Sequence, residues 1–204
     1  MARMALPAPH ERAPQQARSR ESWDRVLQVG MELFAERGWQ GLTITEVCRR
    51  AGVSAPSIYA RVDGKAGLFL AVHERWLEKI TETERALREL HVDPTHSAAD
   101  AATAAAQVIM GVFEVHREEL RALIDRSAHD PELLERGGAA SRAFIGVLAQ
   151  TIPGPPERGL AVVRVVYGEC LMRTMYGSHF LEPVDEAPAA FSARVSALAR
   201  ALAR

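Results

Sequence analysis

Apolar side chains recur at helical spacing through most of the chain. Between residues 20 and 37 they fall at i, i+3, i+4 and i+7, which places one apolar face on a helix made by Trp23, Val26, Leu27, Gly30, Leu33 and Phe34. Gly38 predicts the end of that helix, because glycine readily adopts the left-handed conformation that follows a helix. A longer helix is predicted over 64–90, with Leu68, Ala71, Val72, Trp76 and Ile80 along its inner stripe.

The rest of the chain has the same periodicity, interrupted by Pro- and Gly-containing segments. Helices are predicted from Ser97 or Asp100 to about His116, over 118–127, from Pro131 to about Leu148, over 157–178 and over 187–202. The predicted fold class is therefore all-α. We expect three parts: a disordered basic arm over 1–18, a three-helix head with a helix-turn-helix over 19–66, and a helical body over 67–204.

The segment LTITEVCRRAGVSAPSIYARVDGK, residues 42–65, has the arrangement helix, Gly-containing turn, helix. Thr43 and Glu46 have capping-box spacing, in which each side chain bonds the other residue's backbone N–H. Gly52 suits the turn, and Ser54 is predicted to cap the second helix, with Pro56 in its first turn. This pattern predicts a helix-turn-helix.

In such a motif the second helix enters the DNA major groove and presents its N-terminal residues to base edges. Here those residues are Ala55, Pro56 and Ser57, which are small enough to let the backbone come close to the bases. Their carbons can contact a thymine methyl, and the serine hydroxyl can bond base edges. Tyr59 and Lys65, further along, are predicted to reach phosphate oxygens.

The stretch LFAERGWQGLTITEVCRRAGVSAPSIYARVDGKAGLFLAV, residues 33–72, resembles the N-terminal DNA-binding domain of the TetR family of bacterial transcriptional regulators. The resemblance, which extends from Ser22 to about Trp76, implies a dimeric regulator with a ligand-binding body. The DNA-binding residues expected are Thr43, Thr45, Ser54, Ala55, Pro56, Ser57, Tyr59, Arg61 and Lys65.

Two positions depart from the family pattern. Many members have His where this chain has Arg61 and Phe where it has Val62. Arg61 adds a charge that can bind a phosphate or a guanine, so the base preference of other members does not carry over.

Charge distribution agrees with a nucleic-acid-binding head. The formal net charge is only -1, but residues 1–65 contain ten Lys and Arg against seven Asp and Glu, and the remainder of the chain is acidic. Two alternatives stay open for the arm over 1–18, a contact with the minor groove or a solvated tail.

Other functional classes lack a sequence signal. The two cysteines, Cys48 and Cys170, form neither a disulfide framework nor a metal-ligand pattern, and no catalytic motif is present, so we expect no enzyme activity, cofactor or metal. No apolar run reaches the roughly 20 residues that span a bilayer, and no secretory signal is seen, so we expect a cytoplasmic protein without membrane partners.

The last two predicted helices carry the candidate dimer contacts. Apolar residues of the final helix repeat in a heptad-like seam, and the preceding helix is apolar on more than one side. The alternative is a seam that packs only within the chain. By resemblance to the family, both helices pair with their copies in a homodimer, through Leu160, Val163, Tyr167, Phe191, Val195, Leu198 and Leu202.

The family resemblance also implies a small-molecule pocket in the body. Candidate lining residues are Met110, Phe113, His116, Phe144, Tyr167, Arg173 and Tyr176, and they suggest an apolar or aromatic effector. We expect a repressor that leaves a palindromic operator when the effector favours a different separation of the two heads. Alternatives are a DNA-binding protein without ligand control and a regulator controlled by a protein partner.

Overall fold

The described residues, 12–180 and 184–204, form nine α-helices and no β-strand in the computed structural model. Their bounds in chain order are α1 Arg12–Gly41, α2 Ile44–Ala51, α3 Ala55–Tyr59, α4 Gly64–His91, α5 Ala98–Val115, α6 Arg117–Ser127, α7 Pro131–Ala149, α8 Pro156–Tyr176 and α9 Pro188–Leu202. The predicted all-α class is confirmed. The chain divides into two compact units after Trp76, inside α4.

The first helix begins earlier and ends later than the sequence pattern predicted. It starts at Arg12, so residues 12–18, predicted as part of a disordered arm, are helical, while residues 1–11 lie outside the described residues. Alanine, glutamine and arginine in this stretch are good helix formers, which favours the extension although no apolar stripe marks it. Gly38, at φ 63°, interrupts the helix as predicted, but helical structure resumes to Gly41.

The core of unit 1 combines α1 with the first turns of α4. The rings of Phe34 and Trp39 pack against Phe69, with centroids 5.0 and 5.3 Å apart respectively. Val72 lies against Gly30, where a side chain on the glycine would collide with it. Because these α4 residues complete the core of the head, the compact unit extends to Trp76, beyond 66/67, where the functional boundary stays a prediction.

Unit 2 is built around α5, which packs against α8 and α9. Its buried alanines let neighbouring helices come close; they are Ala101, Ala102, Ala104, Ala105 and Ala106. By length and composition α5 passes the test for a membrane-crossing helix, but half of it is buried inside the unit, as in the core helix of a folded domain. The bounds predicted for α5–α9 agree with the structure to within a few residues.

Candidate nucleic-acid interface and ligand cleft

The start of α2 is capped by only half of the predicted capping box. The Thr43 hydroxyl accepts from the Glu46 N–H at 3.2 Å, as predicted. The Glu46 carboxylate accepts instead from Arg49 and Arg50, at 2.8 and 3.2 Å from their Nε atoms. The hydrogen bond from Arg49 is the largest influence that lowers the pKa of Glu46 to about 2. The carboxylate therefore stays ionised and serves an ion network rather than the second half of the cap.

That network joins α2 to α1. Arg50 donates to both carboxylate oxygens of Glu36, at 3.0 and 2.9 Å, and lowers the pKa of that carboxyl. Arg25 on α1 donates from Nε to the Ala51 carbonyl at 2.8 Å, which satisfies a terminal carbonyl of α2. Together with buried Val47 these contacts fix the orientation of α2 on the head.

The turn between α2 and α3 depends on Gly52, whose φ of 68° is in the left-handed region. The N–H groups of Gly52 and Val53 both donate to the Cys48 carbonyl, at 2.9 and 3.2 Å, and so close the end of α2. Ser54 occupies the N-cap of α3 in an extended conformation, but its side chain makes no capping bond and instead pairs with the Ser57 hydroxyl at 2.7 Å. The predicted side-chain cap is thus absent.

Most predicted DNA-binding side chains are on the surface of unit 1. Ile58 is completely buried and anchors the short helix α3, so the remaining α3 residues face outward or lie at its edge. Ala55 and Lys65 are partly buried, and the exposed ones are Thr43, Thr45, Ser54, Pro56, Ser57, Tyr59 and Arg61. The structure therefore leaves most of the predicted recognition residues accessible, while buried Ile58 anchors the backbone of α3.

The two cationic candidates beside α3 both lie over aromatic rings. The Lys65 ammonium is 4.4 Å from the centroid of the Trp39 ring, and the Arg61 guanidinium is 5.0 Å from the Trp23 ring. Arg61 also donates to the Ser19 hydroxyl at 2.7 Å. Cation–π contacts of this kind orient a long side chain.

Unit 2 contains a cleft of about 450 Å³, within the range of small-molecule sites. Met110, Phe113 and Arg173 line it, as predicted. The other lining residues come from α4, α5, α6, α8 and α9: His91, Gln107, Gly111, Glu114, Arg117, Cys170, Thr174, Pro188, Phe191 and Ser192. No periodicity marks these residues, because they come from several helices and meet only in the folded unit.

The other four predicted ligand residues lie outside this cleft. His116 is buried and bonds the Thr83 hydroxyl through Nε2 at 2.9 Å, and burial lowers its pKa. Tyr167 pairs with the Ser141 hydroxyl at 2.8 Å. Phe144 is part of the buried core, and Tyr176 is exposed and stacks on a neighbouring ring. Their aromatic or polar groups make contacts within the unit, and a role for these four residues in ligand binding stays a prediction.

Several predicted dimer contacts also face the interior of unit 2. Val163, Phe191 and Val195 are buried within the chain, and the Tyr167 ring packs edge-on against Phe113. Leu160 and Leu198 are partly buried, and Leu202 is exposed. The heptad-like seam is therefore largely an intrachain seam, because α9 needs its apolar face to pack on α5 and α8.

Sequence comparison finds a family match in the part of the chain that contains the helix-turn-helix. Residues 26–72 match the family model described as bacterial regulatory proteins, tetR family. The chain is 30% identical over 63 residues to the HTH-type transcriptional repressor ComR of Escherichia coli, and 33% identical over 61 residues to the HTH-type transcriptional activator FasR of Mycolicibacterium smegmatis. These matches cover 31% and 30% of this chain, and only 30% and 28% of the length of the two relatives.

Similarity of fold extends much further along the chain. A crystal structure of a transcriptional regulator from Rhodococcus sp. Rha1 superposes with a TM-score of 0.66 and covers 88% of this chain and 94% of its own. Its sequence identity of 20% means that this likeness concerns the fold. The likeness of fold thus extends over most of the chain, whereas the family-model match covers residues 26–72.

Proposed function

We propose that the chain, whose residues 26–72 match the family model described as bacterial regulatory proteins, tetR family, is a regulator of that family that binds operator DNA and regulates transcription. We propose further that it acts as a homodimer on a palindromic site and represses by occluding a promoter. Of the two relatives described above, one is named as a repressor and the other as an activator. We therefore base the choice of repression on the simplest mechanism, steric occlusion of a promoter.

The surface of α3 is the observation that carries the proposal. Pro56 and Ser57 are exposed at its start, Thr45 is exposed on α2, and Ile58 locks α3 into the head from behind. A short, rigidly held helix with small residues at its start can approach base edges closely. The ion network through Glu46 and the turn at Gly52 support that position of α3 without involving Thr45, Pro56 or Ser57.

For the homodimer we propose the outward faces of α8 and α9 in place of the buried seam. On α9 the exposed alanines recur at i, i+3, i+7 and i+11, and they are Ala190, Ala193, Ala197 and Ala201, with Leu202 beside them. On α8, Val165 is 40% exposed and Met172 is partly exposed, seven residues apart. Small residues at this spacing allow close helix pairing, and a two-fold axis gives two heads for two half-sites.

For the effector we propose a small, largely apolar molecule bound in the cleft lined by Met110, Phe113 and Arg173. Such a ligand lowers DNA affinity if it binds more tightly to a dimer whose heads have the wrong separation, a population shift. A compound that binds should raise the melting temperature and release DNA. Compounds that stabilise the protein without changing DNA affinity would favour ligand-independent binding or control by a protein partner.

A negative charge added to α3 tests the proposed function. Ser57→Asp places a carboxylate where α3 would meet the DNA, and aspartate in the first turn suits a helix, so the head should fold normally. We expect binding of duplex DNA of random sequence to fall at least about tenfold, because phosphates repel the new charge. Fluorescence anisotropy of a labelled random-sequence duplex measures the effect.

The matched control is Ala140→Asp, which adds the same charge to an exposed position of α7 in unit 2. Its DNA affinity should equal that of the wild type. Equal affinities for wild type, Ser57→Asp and Ala140→Asp would show that α3 does not contact DNA.

A further inference from the structure

A second cleft lies entirely within unit 1, between the start of α1 and α3. Its volume is about 680 Å³. From α1 it is lined by Arg18, Ser19, Ser22, Trp23 and Val26, and from the turn, α3 and the residues after it by Gly52, Val53, Ser54, Ser57, Ile58, Ala60 and Arg61. Three of these residues, Ser54, Ser57 and Arg61, already belong to the predicted DNA-binding set, so the cleft adjoins the predicted recognition surface.

The charged side chains that line this cleft are both arginines. Arg18 and Arg61 are exposed, and within the described ranges neither forms an ion pair with a carboxylate. Four serine hydroxyls line the same space, at positions 19, 22, 54 and 57. Among the residues that the structure describes, the lining contains these two guanidinium groups and the serine hydroxyls but no acidic side chain, which forms an environment for an anion.

Arg61 links the two walls of the cleft. Its guanidinium donates to the Ser19 hydroxyl at 2.7 Å and to the Ser19 carbonyl at 3.3 Å, and it lies 5.0 Å from the centroid of the Trp23 ring. These contacts hold the first turns of α1 beside the end of α3. Arg18, one residue before Ser19, is thereby brought to the rim of the same cleft.

We propose that this cleft binds a phosphodiester of the operator backbone, with Arg18 as a phosphate ligand and Arg61 as the residue that positions the start of α1. The inference rests on the proposed function and adds a backbone contact from α1 to the base contacts of α3. The cleft is far larger than a phosphate group alone, which favours a phosphodiester with its flanking sugars over free phosphate. Backbone contacts of this type fix the register of a recognition helix.

The test measures how DNA affinity depends on salt. Each phosphate contact contributes about 0.9 to the slope of log K against log salt concentration. Arg18→Ala should therefore reduce the slope by about two units per dimer, one for each protomer, on a short duplex of random sequence. The matched control is Arg20→Ala, which removes the same charge from an exposed residue of α1 that does not line the cleft. It should change the slope by less than half as much.

Arg61→Ala is a second variant, and it should lower the salt slope for an additional reason. It removes a charge and also releases Ser19, so its slope should fall at least as far as that of Arg18→Ala. Unchanged melting temperatures of the Arg18 and Arg20 variants confirm that folding is intact.

Equal slopes for Arg18→Ala, Arg20→Ala and the wild type would overturn the cleft assignment and leave the proposed function in place. Stabilisation of the wild type by inorganic phosphate, lost in Arg18→Ala while the DNA slopes stay equal, would assign the cleft to free phosphate and also overturn it. If the wild type bound no duplex at all, the proposed function would fail and the cleft proposal with it.

Discussion

Glu84 is a partly buried carboxyl in the half of α4 that belongs to unit 2. Burial raises its pKa to about 7 from a usual 4.5, and nearby Arg88 offsets only part of the effect. The negative charge of Glu84 also acts on Tyr167, where it contributes to the raised pKa of the phenol. A glutamate on a charged helix surface gives no sign of this in the sequence, because partial burial depends on which helices pack over it.

We predict that Glu84→Gln makes unit 2 more stable above neutral pH. The folded state binds the Glu84 proton more tightly than the unfolded state, so the contribution of Glu84 to stability is fully present below pH 4.5 and is lost as pH rises through about 7. Because the carboxyl keeps some solvent contact, we expect the variant to gain about 1–2 kcal/mol at pH 8 and almost nothing near pH 4.5.

Urea unfolding of the full chain at the two pH values measures this difference. Glu82→Gln, at an exposed position of the same helix, is the control and should change stability equally little at both. An equal effect of Glu84→Gln at pH 4.5 and pH 8 would show that the carboxyl is not desolvated.

At the scale of elements, α7 and α8 meet at a backbone contact. Gly159 on α8 is buried, and a Cβ there would lie well inside van der Waals contact of the Ala149 carbonyl oxygen. A backbone atom cannot rotate aside as a side chain can, so the two helices would have to separate. The contact therefore sets how closely α8 packs on α7.

We predict that Gly159→Ala destabilises the protein by about 1–3 kcal/mol, the usual cost of overpacking a core. Gly146→Ala on α7 is the control, because a Cβ there meets no atom within 4 Å and alanine favours helix by roughly 0.5–1 kcal/mol over glycine. Thermal unfolding compares the two. If Gly159→Ala were as stable as Gly146→Ala, the close approach of α7 and α8 would be refuted.

Most helices could be predicted from the sequence because their start signals are local. Ser97 caps α5 and Asp130 caps α7, each by accepting a backbone N–H three residues ahead. The Ser54 cap failed since the neighbouring Ser57 hydroxyl competes for the same side chain. Local pattern also missed the extension of α1, where propensity rather than an apolar stripe maintains the helix.

The candidate sites differ in the same way: one is contiguous in sequence, and the other is assembled from several helices. Residues 43–65 could be assigned because the helix-turn-helix is contiguous in sequence, and the structure leaves most of them exposed. The body cleft draws on five helices, so only Met110, Phe113 and Arg173 of the seven predicted residues line it. An apolar seam on α9 indicates that a face is buried, but it does not distinguish burial in the same chain from burial in a partner copy.

At the scale of the whole molecule, the proposed regulator contains two copies of the chain. A single head reads one half-site, whereas a two-fold dimer presents two recognition helices about 34–36 Å apart, one turn of DNA. The head is only mildly basic and the remainder of the chain is acidic, so we expect a lone head to bind DNA weakly and the proposed dimer to add affinity and spacing.

We predict that Ala197→Glu dissociates the dimer. It places one carboxylate from each copy at the close contact proposed for α9, where like charges and bulk both oppose pairing. Sedimentation velocity should show a shift from dimer to monomer mass. Ala139→Glu, at an exposed position of α7, should remain dimeric. A dimeric Ala197→Glu variant, or a monomeric wild type, would contradict the proposed α8–α9 interface.

Selection of bound sequences from a pool of random duplexes tests the central claim most directly. The full-length wild type is incubated with the pool, and the retained DNA is amplified and sequenced. The account predicts an enriched palindrome whose half-sites are about one helical turn apart, because two copies of α3 read it. Retention with no enriched sequence, or an enriched single half-site, would contradict a dimeric, sequence-specific reader.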